Sequence, residues 1–198
     1  MQPRSPAPAR RFGRRPEDPP AAALAALAEA VRVRDGATAE HCQTVGRLCH
    51  ATAMALGLEP AHAAEVEIAG MLHDLGKVGM PDSILRKPGP LDEDEWCEVQ
   101  EHPQIGARIV AAAGMGDVAN WILLHHERPD GNGYPHGLSG HEIPVEAAIV
   151  AVADAYEAMT ADRVYRPALG EADARAELRA AAGTHFDARV VEAFLSAT

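Results

Sequence analysis

Aromatic side chains are scarce in this chain, making up 4% of its 198 residues. Strands are enriched in aromatic and β-branched residues, whereas Ala, Leu and Val fill the apolar positions here, which argues against a β-sandwich and for close-packed helices. Long apolar runs are missing too. No stretch approaches the roughly 18 uninterrupted apolar residues of a membrane span. The amino terminus has no apolar segment before residue 21, so no signal peptide is expected. Cysteine is limited to Cys42, Cys49 and Cys97, with no CxxC pair. Cys42 and Cys49 would lie about 10 Å apart on one helix, too far for a disulfide. All three read as buried small hydrophobes of a reducing cytoplasm. Positive charge is short as well. The first twenty residues carry five Arg against Glu17 and Asp18, which leaves about −14 on the rest of a chain whose total is −11. Duplex nucleic acid rewards basic surfaces, so it is not an expected partner. A small anion could still bind where a few cations or metal ions make a site locally positive.

What is present is one domain's worth of helical pattern. Hydrophobic residues amount to 47%, enough for a sizeable core. Residues 1–20, rich in Pro and Arg, read as a disordered basic tail, and residues 21–198 as a single domain. Leu24, Leu27 and Val31 share a face of a first helix over 21–34. Thr38 is positioned to cap a second helix that runs to about Gly57, with His41 in its first turn. Pro60 opens a third, which delivers His73-Asp74 just before the break Leu75-Gly76-Lys77-Val78-Gly79-Met80-Pro81. Residues 82–91 read as a loop, and Asp92 with Glu95 as a capping box. Pro103 suits the first turn of a further helix, with His102 at its start. A helix over 117–126 ends in His125-His126. The loop 127–143 has no apolar period, and loops that long are more often functional than not. Pro144 begins a buried helix carrying Asp154, an aspartate in so apolar a run that it needs a partner. Helices over 171–182 and 187–196 close the core. No internal repeat and no strand are apparent.

His41, His73-Asp74, His102, His125-His126 and Asp154 are therefore all set beside apolar helical patterns. His and carboxylate are the ligand types of borderline transition metals. Neighbours in a helix diverge by about 100°, so His73 and Asp74 can share a metal only at a frayed helix end, which the following Gly supplies. His50, His62, His136, His141 and His185 fall into no such pattern.

In order, the chain shows His73-Asp74-Leu75-Gly76-Lys77, His102-Pro103, and His125-His126-Glu127 through Asp130-Gly131-Asn132-Gly133-Tyr134-Pro135. Val152-Ala153-Asp154 and Asp162-Arg163-Val164-Tyr165-Arg166 follow. With these motifs the chain resembles the HD-GYP family, a branch of the HD-domain metal-dependent phosphohydrolases, over roughly residues 22–196. The resemblance implies an all-α HD-domain helical bundle with a metal centre between helices. It assigns His41, His73, Asp74 and Asp154 to one metal and His102, His125 and His126 to a second, with Asp74 bridging. Mixed His and carboxylate ligands suit iron or manganese, and also zinc, cobalt or nickel. Some members hold a third metal through a Glu four residues before the first histidine; that position is Ala37 here, so two metals are expected. The family often carries Arg where this chain has Ala148, Asp where it has Glu157, and Lys where it has Arg166.

The implied activity is hydrolysis of cyclic di-GMP to pGpG, and in some members on to GMP, by a hydroxide shared between the metals. Lys77 would neutralise charge at the phosphoryl group, and Arg163 and Arg166 would grip the phosphates. Gly133-Tyr134-Pro135 would shape the site, stack on a base or meet a protein partner such as a cyclase domain. Asp82 would hold Lys77 or an outer-layer ligand. Two other readings remain open: the same chemistry on another cyclic dinucleotide or nucleotide, and a catalytically silent dinucleotide receptor or interaction module.

Overall fold

A computed structural model of the chain describes residues 36–162 and 167–198, together with 26, 27 and 29. The expected tail and most of the expected first helix lie outside these residues, as do Arg163 and Arg166. Among the described residues nine α-helices and two short 3-10 turns make up the regular structure, and the only β-type pairings are two isolated bridges. No helix there is long and apolar enough to cross a membrane.

Helix α1 spans Gly36–Ala55 and α2 spans Pro60–Leu72. The first begins two residues before Thr38, which is thus inside the helix rather than capping it. Cys42, Val45, Cys49 and Ala53 form its buried stripe at helical spacing, packed against Ala63, Val66, Ala69 and Leu72 of α2. Pro60 occupies the first turn of α2, where its missing N–H would have had no helical partner in any case.

A 3-10 turn over Leu75–Gly79 follows α2 and packs against α5, His102–Ala112. The approach is close because residue 76 is Gly. A Cβ there would fall 1.8 Å from the His102 carbonyl oxygen and 2.7 Å from the Gly106 nitrogen. Between these elements, residues 82–91 are not wholly a loop, since one helical turn, α3 (Asp82–Leu85), interrupts them. Ile84 supplies the reason, being an apolar side chain buried by that turn. Helix α4 (Glu93–Val99) has the expected capping box. The Asp92 carboxylate accepts from the Glu95 amide at 3.0 Å, and Glu95 accepts from the Asp92 amide at 2.9 Å. None of the α4 residues is buried. Cys97 is therefore exposed, contrary to expectation, while Cys42 and Cys49 are buried. The helix is fastened at its start, by the capping box and the Lys87–Glu95 pair, and has no buried apolar face to draw Cys97 inward.

Helix α6 (Gly116–Leu124) packs against α5 and α2. Helix α7 (Val145–Thr160) runs through the middle of the domain and touches α1, α2 and α6. Ala147, Ala148, Ile149, Val150, Val152 and Ala153 are all buried, the all-round apolar character of a central helix. Helices α8 (Glu171–Ala181) and α9 (Ala188–Ala197) close the core with Leu178, Val190, Val191 and Phe194. The family position held by Ala148 is thus a core position, 9% exposed.

Candidate metal centre

Several of the chemistry-bearing side chains sit where helices start or stop. At the end of α2, His73 keeps helical angles (φ −55°, ψ −35°) while Asp74 has turned to φ −92°, ψ 4°. That turn brings sequence neighbours onto one centre, with His73 Nε2 3.6 Å from Asp74 Oδ2. His102 is the first residue of α5, and His125 caps the end of α6. His41 lies near the start of α1 and Asp154 inside α7.

These residues converge. Asp154 Oδ1 lies 3.3 Å from His41 Nε2 and 3.6 Å from His73 Nε2. Asp74 Oδ2 is 3.9 Å from His41 Nε2, while its Oδ1 is 3.7 Å from His102 Nε2. One carboxylate therefore faces two groups of imidazoles. His41, His73 and Asp74 offer ligand atoms within 4.8 Å of one another, and His102, His125 and His126 do the same.

Three rings are fixed from behind. His73 Nδ1 donates to the Gly70 carbonyl at 2.7 Å, His102 Nδ1 to Val99 at 2.7 Å, and His125 Nδ1 to Ile122 at 2.6 Å. A carbonyl only accepts, so Nδ1 carries the proton, and in the neutral ring Nε2 presents a lone pair to the centre. On His102 and His125 that Nε2 is buried without a hydrogen-bond partner. An orphaned buried polar atom costs about 1–3 kcal/mol. The unpartnered nitrogen lone pairs of His102 and His125, both in one ligand group, fit a transition-metal position, and the hydrogen bonds behind the rings are of the kind that orient metal ligands.

Electrostatics divides the cluster. Burial pushes His126 down to about 3, helped by His102. Burial first, then His126, holds His125 well below its ordinary range, and burial also lowers His102 against the pull of Asp74. These rings are neutral, the form that binds a cation. Burial would raise the Asp74 carboxyl, but His73 and Lys77 outweigh it and hold it far below the usual carboxylate range. At His41 burial is likewise outweighed, here by hydrogen bonds to Asp154 and Glu157, and the ring is held up at about 9.

Lys77 Nζ donates to Asp74 Oδ2 at 2.6 Å, so the lysine meets the shared carboxylate directly. Asp82 begins α3 and is exposed. Tyr134 stacks on His126, with ring centroids 4.7 Å apart and an interplanar angle of 28°. Gly133 is required at its place, because a Cβ would fall 2.4 Å from the Arg128 nitrogen and 2.6 Å from the His126 carbonyl oxygen. A cleft of about 370 Å³ opens beside His125, His126 and Asp154, with Tyr134, Arg128 and Trp96 among its walls.

Two carboxylates went unassigned in the sequence. Glu157 accepts a short hydrogen bond from His41 Nδ1, orienting that ring as the carbonyls orient the others. Its signal was its spacing, three residues after Asp154 and so on the same helical face. Glu127 is buried and accepts from the backbone amides of His136 at 2.6 Å and Leu138 at 2.8 Å, pinning the Gly-Tyr-Pro loop. A carboxylate directly after a histidine pair was visible, but its loop partners were not.

A family model described as HD domain matches residues 25–190. The "Cyclic di-GMP phosphodiesterase response regulator RpfG" of Xanthomonas campestris is 41% identical over 175 residues, covering 87% of this chain and 46% of that protein. The "3'3'-cGAMP-specific phosphodiesterase 2" of Vibrio cholerae is 41% identical over 172 residues, covering 85% of this chain and 33% of that protein. Among solved structures, "Bd1817, a HDG"Y"P protein from Bdellovibrio bacteriovorus" superposes with a TM-score of 0.60 at 25% identity, over 79% of this chain and 50% of that one. The chain thus spans less than half the length of these two curated relatives.

Proposed function

The chain belongs to the HD-domain family, in its HD-GYP branch, and from that premise we propose that it is a metal-dependent phosphodiesterase converting cyclic di-GMP to pGpG, and on to GMP if the linear product re-enters the site. The observation that carries the reading is Asp74, whose two oxygens face two separate histidine groups 3.6 and 3.7 Å away. His41, His73, Asp74 and Asp154 would hold one metal, and His102, His125, His126 and Asp74 the other. Iron or manganese is the proposed pair, with zinc, cobalt and nickel compatible with the same ligands. With Ala37 where a third ligand would stand, two metals are proposed. When bound, such a pair supplies an activated water and positive charge at a phosphoryl group.

The protein's own groups do the rest. Carbonyls behind His73, His102 and His125, and Glu157 behind His41, keep the ligand atoms aimed at the centre. Lys77 holds Asp74 in place and, 32% exposed on its open side, reaches toward charge that develops on the phosphate oxygens. Arg163 and Arg166 are proposed to grip the phosphates. Tyr134, braced on His126, narrows the cleft from one side. The compartment proposed is the cytoplasm, in keeping with buried free thiols at Cys42 and Cys49. A protein partner, such as a cyclase domain, would meet the Gly-Tyr-Pro loop.

A second reading keeps the chemistry and changes the base, since a relative of equal identity is named for 3'3'-cGAMP. The deciding experiment is anaerobic purification, metal quantification and turnover of both cyclic dinucleotides on one sample. About two metals per chain with linear product from cyclic di-GMP is the expected result. Preference for cyclic GMP-AMP would select the second reading. Two metals with binding but no turnover would make the protein a receptor, and retained turnover in a metal-depleted Asp74→Ala variant would refute the mechanism.

A further inference from the structure

Trp96 is out of place by the ordinary rules of burial. The chain has two tryptophans. Trp121 is 5% exposed in the core, whereas Trp96 is 48% exposed. In a protein whose residues are only 4% aromatic, a large ring left half in water is not surplus from the core. Helix α4 offers no packing reason for it, because none of its residues is buried. That helix is instead fastened at its start, by the Asp92–Glu95 capping box and a short ion pair from Lys87 to Glu95. Trp96 lines the same cleft as His125, His126 and Asp154. Gln100 lines it too and stands four residues after Trp96, hence on the same helical face. A half-exposed aromatic ring and a side-chain amide lining the same cleft are two elements that can recognise a nucleobase, by stacking and by hydrogen bonds to the base edge.

We propose that Trp96 is the stacking platform for a purine of the cyclic dinucleotide, with the Gln100 amide directed at that purine's edge. The inference rests on the dinucleotide reading of the cleft. The metal-facing residues would take the scissile phosphate, and α4 would take a base carried away from it. The ring makes no contact with the reacting atoms in this scheme, so its contribution is to substrate binding and to the choice of substrate. The acidic residues around it fit the same assignment. Asp92, Glu93, Asp94, Glu95 and Glu98 surround Trp96 in sequence, a setting that disfavours a phosphate on α4 and leaves the neutral base as the group that lies there.

Base–aromatic stacking is worth about 1–3 kcal/mol per base, which is a factor of about 5 to 150 in affinity. Trp96→Ala is therefore expected to raise KM for cyclic di-GMP by that factor with kcat little changed. Trp96→Phe should stay near wild type. Hydrolysis of methyl p-nitrophenyl phosphate, which carries no base, should fall far less in Trp96→Ala than hydrolysis of cyclic di-GMP does. A hydrolysis-resistant bisphosphorothioate analogue of cyclic di-GMP should quench tryptophan emission in the wild-type holoenzyme and leave Trp96→Phe, where only buried Trp121 remains, unquenched. Unchanged KM in Trp96→Ala, parallel loss of both substrates, or equal quenching in Trp96→Phe would each overturn the platform. If the analogue quenches Trp96 but wild type does not turn over cyclic di-GMP, the platform stands and the phosphodiesterase reading fails. If turnover is normal and indifferent to Trp96, the platform fails and the phosphodiesterase reading stands.

Discussion

Replacing Gly76 by Ala should damage the proposed metal centre without touching a proposed ligand. The new Cβ would lie 1.8 Å from the His102 carbonyl oxygen, 2.7 Å from the Gly106 nitrogen and 2.7 Å from the His102 carbonyl carbon. All three are backbone atoms of α5, so no side chain can swing aside. Real Cβ contacts essentially never fall below 3.0 Å, so the helix and the 3-10 turn must separate by about 1 Å or more. Overpacking of this kind costs about 1–3 kcal/mol, or a melting temperature lower by about 2–12 °C for a domain of this size. The same separation acts on the site, because His102 opens α5 while Asp74 immediately precedes the turn, and their facing atoms are 3.7 Å apart. A misplacement of about 1 Å can cost about a hundredfold in turnover. The assay is calorimetric melting of the metal-free and metal-loaded protein, with metal stoichiometry and turnover on the same preparation. A Gly76→Ala protein that melts as wild type, binds two metals and turns over normally would refute this account of the junction.

Glu157→Gln keeps the shape behind His41 but removes the charge, and should weaken metal affinity by about 10- to 100-fold, measured by competition with a chelator. An unchanged affinity would mean that Glu157 does not orient the ring. Glu127→Gln leaves one oxygen and one NH₂ facing two backbone donors, so one amide loses its acceptor at about 1–3 kcal/mol. Faster hydrogen exchange at His136 or Leu138 is the expected signature, and unaltered exchange at both would remove Glu127 as the pin of the loop. Metal-free stability should peak near pH 6.5. His126, lowered from 6.5 to about 3 in the folded chain, favours the unfolded state as pH falls from 6.5 toward 3. His41, raised from 6.5 to about 9, contributes fully below 6.5 and loses that contribution as pH rises through 9. Urea midpoints measured in chelator at pH 4.5, 6.5 and 9 test this; a steady rise across the series would contradict it.

Much of the local structure was legible in the residues because its causes are local. Pro60, the Asp92–Glu95 box and Pro103 start helices where expected, and Gly76 follows the helix end that frees His73 and Asp74 to face one centre. Each of those signals is a steric or hydrogen-bonding preference acting within a turn or so of chain. The one-turn helix α3 was missed for the complementary reason: it gains from burying Ile84 against other parts of the chain.

By itself, the sequence determined the residue types of the site and the points at which helices stop to present them. The tertiary structure alone decided that His41 meets Glu157 across 116 positions, that Asp74 turns one oxygen to each histidine group, that Cys97 is exposed and that Trp96 lines the cleft. Caps and breaks follow from neighbours along the chain. The direction a helical side chain faces at the site depends on which helices pack beside it, and that depends on the whole core.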